Sequence, residues 1–347
     1  MLVINDCHIA ATRVAGTTPA TQIALRDSLR ASLEKCLNMT DEQVVVCNGD
    51  LFNGFTVDTA EIIATYEIFA EWLAANPVRR LHLARGNHDW SARANAVSSF
   101  QLLSHFLTAH FPSQVKIYEQ GFEHVAGDIY VVPHVANQDI FNIEIDKAIE
   151  SGSKGWLLLH CNYKNKFAES SDTSLNLSDD QIARLMIAGF NLVLGHEHVG
   201  YTLRGGRVIV VGAQTPSSVS DCIGDETKHA LVINDDGTHE LIETWRAEGD
   251  YIEVDWKELD TVGDQRFVRV TGDATASQAA DVINTIAKVR AASDALVIAN
   301  AVKVEGHELV ADMAIESVDQ IKRFDVIAAI YERLEPREVE IVKGLLE

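Results

Sequence analysis

Residues 44–55 read VVVCNGDLFNGF, an apolar run that passes directly into a polar turn. The three valines are β-branched, and together with Cys47 they predict a buried strand. Asn48 and Gly49 are residue types that favour turns, so the strand should end just before Asp50. An ionisable carboxyl group is therefore expected at the mouth of a buried strand.

The first two thirds of the chain repeat this pattern of an apolar run followed by a helical stretch. The apolar runs lie at 1–5, 43–48, 80–85, 128–133, 155–160 and 190–195, and helices are predicted at about 20–37, 57–75, 94–110, 140–151 and 178–189. Strands that alternate with helices indicate an α/β layered domain with a largely buried sheet. From about residue 199 the pattern changes to consecutive strands, with hairpin turns expected at Gly205-Gly206 and Asp236-Gly237.

The C-terminal third predicts a separate small unit and a helical tail. Residues 247–264 are polar and acidic and are expected to be a boundary or linker. A β-α-β unit with a helix at about 275–291 follows, and then two amphipathic helices interrupted at Pro336. We therefore predict three parts, at 1–250, 251–315 and 316–347. The apolar stripes of the tail either pack on the small unit or bind a partner.

Composition restricts the class of protein. Hydrophobic residues make up 47% of the 347 and charged residues 23%, which is typical of a globular chain. No run reaches the roughly 18 apolar residues that a membrane span needs, and the first residues resemble a strand more than a signal peptide. The five cysteines are scattered without a CxxC pair, which favours a reduced cytosol and argues against a zinc–thiolate site.

The net charge of −22, from 51 acidic and 29 basic residues, argues against a chain that holds nucleic acid alone. Either the substrate is not a nucleic acid, or a partner and bound metal ions supply the positive field. Acidity that only improves solubility is the third interpretation.

Five of the apolar runs end in residue types that bind metal ions. These ends are Asp6-Cys7-His8, Asn48-Gly49-Asp50, Gly86-Asn87-His88-Asp89, His160, and Gly195-His196-Glu197-His198. Loops beyond the carboxyl ends of strands converge in α/β sheets, so these groups can meet in one place. Their mixed oxygen and nitrogen donors suit Mn²⁺, Fe²⁺ or Zn²⁺.

Local spacing also fits a metal site. In both D-x-H and H-x-H the paired ligands are two residues apart, and in extended backbone they would project to the same face. Glycines at 49, 86 and 195 are expected to let the backbone turn sharply and bring the ligands close together. Each piece alone has an ordinary explanation, but five in sequence order at strand ends are far stronger than one.

The order D-x-H, G-D, G-N-H-D, H and G-H-x-H resembles that of the calcineurin-like metallophosphoesterases over about residues 1–245. The resemblance implies a four-layer α/β fold, a β-sandwich flanked by helices, with two divalent metal ions at the strand ends. Mn²⁺ is the expected metal, with Mg²⁺, Fe²⁺ and Zn²⁺ as alternatives. By the same resemblance the first ion is held by Asp6, His8, Asp50 and His198, and the second by Asp50, Asn87, His160 and His196.

Within this superfamily the chain most resembles the SbcD-type DNA repair nucleases, in particular short phage forms. NGDLFNG matches the second motif of that group, and VGAQTPSSVSDCIGDETKHALVI resembles its strand after G-H-x-H. The implied protein is a homodimeric DNA exonuclease or endonuclease subunit of a repair and recombination complex. Residues 251–315 would be its capping domain, and the tail at 316–347 would bind an SbcC-like ATPase. A cytoplasmic location follows, with a phage origin and action in the host cytoplasm as one alternative.

The mechanism that these residues imply is attack by a hydroxide activated between two metal ions. His88 is outside the implied ligand set and is predicted to stabilise the transition state or protonate the leaving oxygen. Asp89 either orients His88 or has an ordinary turn role. Asn53 stands where many relatives keep a histidine that contacts the phosphate, and it is a third candidate catalytic residue, whose amide can donate a hydrogen bond to phosphate but cannot carry a proton. Two other functions stay open, namely a stand-alone phosphodiesterase or phosphatase for a small nucleotide or phosphoprotein, and a metal-binding scaffold without turnover.

Overall fold

The computed structural model describes residues 1–12, 16–90, 96–163 and 174–305. The strands in this part of the chain are β1 (Leu2–Ile4), β2 (Val44–Asn48), β3 (Arg80–Ala84), β4 (Val115–Tyr118), β5 (Glu123–Ala126), β6 (Ile129–Val132), β7 (Gly155–His160), β8 (Asn162–Tyr163), β9 (Asn176–Leu177), β10 (Phe190–Gly195), β11 (Tyr201–Leu203), β12 (Val208–Val210), β13 (Thr227–Ile233), β14 (His239–Arg246), β15 (Tyr251–Asp255), β16 (Phe267–Thr271), β17 (Asp273–Ala274), β18 (Val297–Asn300) and β19 (Lys303–Val304). The helices are α1 (Pro19–Asn38), α2 (Thr59–Ala74), α3 (Ser99–His110), α4 (Gln138–Glu150), α5 (Asp179–Ala188) and α6 (Ala279–Ala292).

Two six-stranded sheets form the body of the protein. The first has the order β14-β13-β1-β2-β3-β4 and the second the order β11-β12-β10-β7-β6-β5. Strands β1 to β4 are parallel, as are β6, β7, β10 and β12. The carboxyl ends of β1, β2 and β3 therefore lie together at one edge of the first sheet, and those of β7 and β10 lie together in the second.

Alternation of side chains along the strands creates the layers. In β1, Leu2 and Ile4 pack in the core beneath the helices of the first sheet, whereas Val3 faces the core between the two sheets. In β7, Leu158 faces that same central core, and its neighbours in the strand pack beneath α4 and α5. Such alternation is what a strand with both faces buried produces. The predicted α/β class and the four layers, helices–sheet–sheet–helices, are confirmed.

Helix starts follow from local capping. Ser98 accepts a hydrogen bond from the backbone N–H of Gln101 at the start of α3, and Ser178 does the same for Gln181 at the start of α5. The cap at Ser98 explains why α3 begins later than the predicted residue 94. At the other end of α5, Gly189 has φ 108°, a left-handed conformation that favours glycine and ends the helix.

The C-terminal unit differs from prediction in one respect. The stretch 247–264, expected to be a boundary or linker, contains β15, which pairs in parallel with β16 in a sheet of order β15-β16-β18. Of the five residues of β15 only Val254 is fully buried, together with Val268 from β16, so most of the strand can be polar. The polar composition of this stretch therefore hid a strand that the sequence did not predict.

This unit contacts the first sheet's helical side. Arg266 donates to the hydroxyl of Ser28 on α1 at 2.7 Å, and the backbone N–H of Ile298 donates to the carbonyl of Gly16 at 2.9 Å. Residues 306–347 lie outside the described residues, so the predicted tail at 316–347 and the end of the unit predicted at 251–315 stay predictions. No helix of the described residues has the length and apolar character needed to span a membrane.

Phe69 and Ile63 offer a test of the packing of α2. Phe69 is fully buried against the first sheet, whereas Ile63 on the same helix is 51% exposed. We expect Phe69→Ala to lower the free energy of unfolding by about 3–5 kcal/mol through lost burial and a cavity. Ile63→Ala, the matched control, should change it by less than about 0.5 kcal/mol. Urea denaturation followed by circular dichroism measures both, and equal effects would contradict this packing.

Candidate metal centre

Asp50 lies at the centre of the converging strand ends. Its carboxylate is buried, with the Oδ2 atom 3.3 Å from His160 Nε2, 3.9 Å from His8 Nε2 and 4.0 Å from His88 Nε2. Oδ1 accepts a hydrogen bond from the backbone N–H of His88 at 2.9 Å. Groups from β1, β2, β3 and β7 thus meet around one carboxylate, as the sequence predicts.

The first cluster of ligand types consists of Asp6, His8 and His198. The candidate ligand atoms of these three side chains lie within 4.8 Å of one another. The Nε2 atoms of His8 and His198 face each other at 2.9 Å. Two imidazole nitrogens that each bind one ion at about 2.0–2.1 Å reach such a separation, so this spacing fits a shared cation.

The second cluster consists of Asp50, Asn87, His160 and His196. The Oδ1 atom of Asn87 is 3.0 Å from His160 Nε2 and 2.8 Å from His196 Nδ1. Asp50, His160 and His196 also form a group within 4.8 Å. Asp50 therefore lies within reach of both clusters, where the sequence-based interpretation expects a bridging carboxylate.

The backbone that presents these ligands is not extended. Asp6, His8, Asp50 and His196 have φ values of 49°, 45°, 47° and 91°. The condition under which the two ligands of D-x-H would share a face, an extended backbone, is not met, because both residues adopt the left-handed region. Such conformations cost of order 1–3 kcal/mol each and occur at functional sites where surrounding contacts enforce them.

Hydrogen bonds supply that enforcement. The backbone N–H of His8 donates to the carbonyl of Asp50 at 3.0 Å, and the N–H of Asp6 donates to Gly49 at 3.3 Å. The N–H of His196 donates to both carboxylate oxygens of Asp6, at 3.1 and 3.0 Å. The two loops of the first sheet are thereby joined to each other and to the second sheet.

At two positions near Asp50 there is no space for a side chain larger than that of glycine. A Cβ at Gly86 would lie 2.1 Å from Asp50 Oδ1, and a Cβ at Gly49 would lie 2.0 Å from His160 Nδ1. Gly49 also has φ 91°, so both a turn and a close approach depend on it. The predicted close approach is confirmed, although Gly86 provides room rather than a sharp turn.

Electrostatics at the centre favour a cation. Burial alone disfavours a charged His160, but the charge of Asp50 outweighs it and raises the pKa of His160 to about 9. Burial, followed by the charge of His198, holds the pKa of His8 well below its usual range. His8 is thus neutral and able to donate a lone pair, while the field of Asp50 attracts positive charge to its surroundings.

The two cysteines beside ligands do not compete for a metal ion. Burial raises the pKa of the Cys161 thiol, and that of the Cys7 thiol is raised by its contact with Cys47 and by burial. Their side chains pack in the two apolar cores. The available donors are therefore oxygen and imidazole nitrogen, which fit Mn²⁺, Fe²⁺ or Zn²⁺.

His88 differs from the buried ligand types in its exposure. Its side chain is 40% exposed, against 1% for Asp50. The Nδ1 atom lies 2.9 Å from the main-chain carbonyl of Asn53, so Nδ1–H donates there and Nε2 faces the centre. Asn53 therefore contacts His88 through its backbone. His88 also forms a third possible metal group with His8 and Asp50.

Asp89 contacts the main chain. Its carboxylate accepts hydrogen bonds from the N–H of Gly86 at 2.9 Å and of Phe52 at 3.4 Å. Burial and the nearby charge of Asp50 raise the pKa of Asp89 to about 7. Asp89 joins the loop after β3 to the loop after β2, which favours the turn role over an orienting role for His88.

Three residues that support the G-H-x-H loop were not identified from the sequence. Glu197 accepts from the N–H of Tyr163 at 2.7 Å and from the hydroxyl of Tyr201 at 2.8 Å. Lys228 in β13 is buried and donates to the His198 carbonyl at 2.7 Å. Asp221 contacts the ring of His198. Glu197 lies within the motif itself, whereas Asp221 and Lys228 lie beyond it along the chain, so only the folded chain brings these two to the site.

The comparison with protein families agrees with this geometry. The model described as Metallophos, calcineurin-like phosphoesterase, matches residues 1–200. The chain belongs to the calcineurin-like phosphoesterases, so its chemistry is metal-dependent hydrolysis of phosphoester bonds. Members of this family typically bind two divalent metal ions, and the two clusters around Asp50 are able to hold them. A comparison with curated proteins found no match.

Gly86 provides a test of the crowded centre. We expect Gly86→Ala to weaken Mn²⁺ binding at least about tenfold, because the new methyl group displaces the Asp50 carboxylate. It should also lower the free energy of unfolding by about 1–3 kcal/mol. Gly54→Ala is the matched control, since a Cβ there meets no atom within 4 Å. Isothermal titration calorimetry with Mn²⁺ and urea denaturation measure the two effects, and wild-type binding by Gly86→Ala would contradict the geometry.

Proposed function

We propose that the chain is the SbcD-like nuclease subunit of a DNA repair and recombination complex and hydrolyses DNA phosphodiester bonds. The observation that carries the hydrolytic part is the partly exposed His88 beside two ligand clusters that meet at the buried Asp50. In this proposal Asp6, His8, Asp50 and His198 hold one ion, and Asp50, Asn87, His160 and His196 hold the other. Mn²⁺ is the proposed metal, on the basis of the oxygen and nitrogen donors.

The ions would supply Lewis acidity for the phosphate oxygens and lower the pKa of water. His88 would complete the site from the solvent side. Its Nδ1–H is committed to the carbonyl of Asn53, so Nε2 is the atom that can reach a phosphate oxygen or the leaving oxygen. An imidazole at this place can donate a hydrogen bond or a proton at neutral pH, which a metal-binding scaffold does not need.

The choice of DNA as substrate has support from the C-terminal unit. A small phosphodiesterase does not need a further three-stranded sheet and helix docked on its first domain through Arg266 and Phe267. We retain 1–250, 251–315 and 316–347 as the proposed nuclease, capping and partner-binding parts. The net charge of −22 favours the alternative, a stand-alone phosphodiesterase or phosphatase for a small nucleotide or phosphoprotein, unless a partner supplies positive charge.

Two partners besides DNA belong to this proposal. An SbcC-like ATPase would bind the segment 316–347 and contribute the missing basic surface. A second copy of the chain would pack on α2 and α3, where Ile63, Leu102 and Phe106 are exposed and Tyr66 lies 6.4 Å from Phe106 between ring centroids. We propose a cytoplasmic location, which fits such partners. A phage-encoded protein that acts in the host cytoplasm is the alternative.

The role of His88 is testable by substitution. We expect His88→Ala to lower kcat by about 10²–10⁴-fold through loss of proton transfer, and to leave the binding of both Mn²⁺ ions unchanged. Asn53→Ala is the comparison, because it keeps the carbonyl that orients His88 and removes only an amide that cannot carry a proton, so it should lower kcat by less than about tenfold. Loss of one bound ion in His88→Ala would show that His88 is a ligand instead.

The substrate class is tested with linear double-stranded DNA, single-stranded DNA and bis-p-nitrophenyl phosphate, each with Mn²⁺. We expect cleavage of DNA that increases when an SbcC-like partner is added and is lost in His88→Ala. A tail variant with Ile327→Glu and Ile330→Glu should lose the increase and keep cleavage of the small reporter. If the small reporter is cleaved while DNA stays intact, even with the partner present, the result would favour the small-substrate alternative.

A further inference from the structure

The side chain of Asp221 lies against His198 at the edge of the first ligand cluster. Its Oδ1 atom is 2.8 Å from His198 Nδ1, and the residue is only 4% exposed. Asp221 lies beyond residue 200, where the match to the family model ends. The motif that contains His198 gives no indication of this contact.

The carboxylate of Asp221 is itself fixed. Its Oδ2 atom accepts hydrogen bonds from the N–H of Ser217 at 2.8 Å, the N–H of Ser218 at 2.9 Å and the hydroxyl of Ser217 at 3.0 Å. These bonds hold the plane of the carboxylate, so Oδ1 stays directed at His198. Because a carboxylate oxygen only accepts, the proton of this contact belongs to His198 Nδ1.

That assignment decides the state of the opposite nitrogen. With the proton on Nδ1, the Nε2 atom of a neutral His198 carries a lone pair, and this atom faces His8 Nε2 at 2.9 Å. The main chain of His198 is held by the same region, since its carbonyl accepts from Lys228 Nζ at 2.7 Å and from the N–H of Ala213 at 3.2 Å. Both ring and backbone of His198 therefore depend on residues 213–228.

We propose that Asp221 is a positioning residue that holds His198 in the tautomer able to bind a metal ion, and that residues 217–221 set the affinity of the first metal site. This inference rests on the proposed two-metal centre. Carboxylates that accept from a ligand histidine typically change metal affinity by about 10–100-fold when they are removed.

Asp221→Asn is a sharp test because it preserves size. The three donors from Ser217 and Ser218 select the amide oxygen, which turns the amide nitrogen toward His198 Nδ1. Nδ1 must then accept, which places the proton on Nε2, where it opposes a metal ion. We expect one Mn²⁺ ion to bind about 10–100-fold more weakly and the other as in the wild type. Asp235→Asn, an exposed carboxylate-to-amide change, is the matched control.

Isothermal titration calorimetry with Mn²⁺ on the full chain separates the outcomes. Wild type that binds fewer than two ions would contradict the metal centre itself. If the wild type binds two ions and Asp221→Asn binds both of them as tightly as Asp235→Asn does, the inference is overturned and the proposed function stays intact. Equal weakening of both ions, with a lower Tm for the metal-free protein, would indicate a general structural role and also overturn it.

A second measurement does not depend on a variant at Asp221. Imidazole ¹⁵N spectra of the metal-free wild-type protein, with the His198 signals assigned by comparison with His198→Gln, report the tautomer directly. We expect the proton on Nδ1, with the deshielded signal of a hydrogen bond to a carboxylate. A proton on Nε2 would refute the inference even if Asp221→Asn fails to fold.

Discussion

A buried carboxylate at the junction of two sheets needs positive charge, and the Asp50 side chain organises the centre for this reason. Among the described residues, the backbone N–H of His88 and the ring of His160, whose pKa is raised to about 9, offset its desolvation, and a bound cation would offset it further. Every crowded feature nearby, from the missing side chain at Gly86 to the left-handed loops, keeps those groups close to it.

The loops can accept this crowding because the sheets behind them are regular. Parallel strands end at a common edge, and the apolar cores above and below each sheet fix where those edges lie. Strained residues such as Asp6 and His8 follow immediately after a buried strand, so little flexible chain separates the strain from the rigid part. The cost of the loops is met by the stability of the layers.

Sequence reasoning predicted that the candidate ligands would meet because each follows an apolar run, and strand order carries such groups to one edge. It failed where contacts come from other elements. Lys228 is one example, because the His198 carbonyl to which it donates lies 30 residues earlier in the chain. The strand β15 lies in a stretch predicted to be a boundary or linker because only one of its five residues, Val254, is fully buried. Backbone conformation was the other failure, since D-x-H spacing is compatible with extended and left-handed residues alike.

The two ligand clusters draw on both sheets, and this division has a consequence for unfolding. Asp6 and His196 are already joined by hydrogen bonds across 190 residues of sequence. An ion held by residues of both loops would close that long segment as a cross-link does, and would remove entropy from the unfolded chain. Metal loading would then slow the separation of the two sheets, so resistance to proteolysis would report on occupancy of the centre even where no substrate is known.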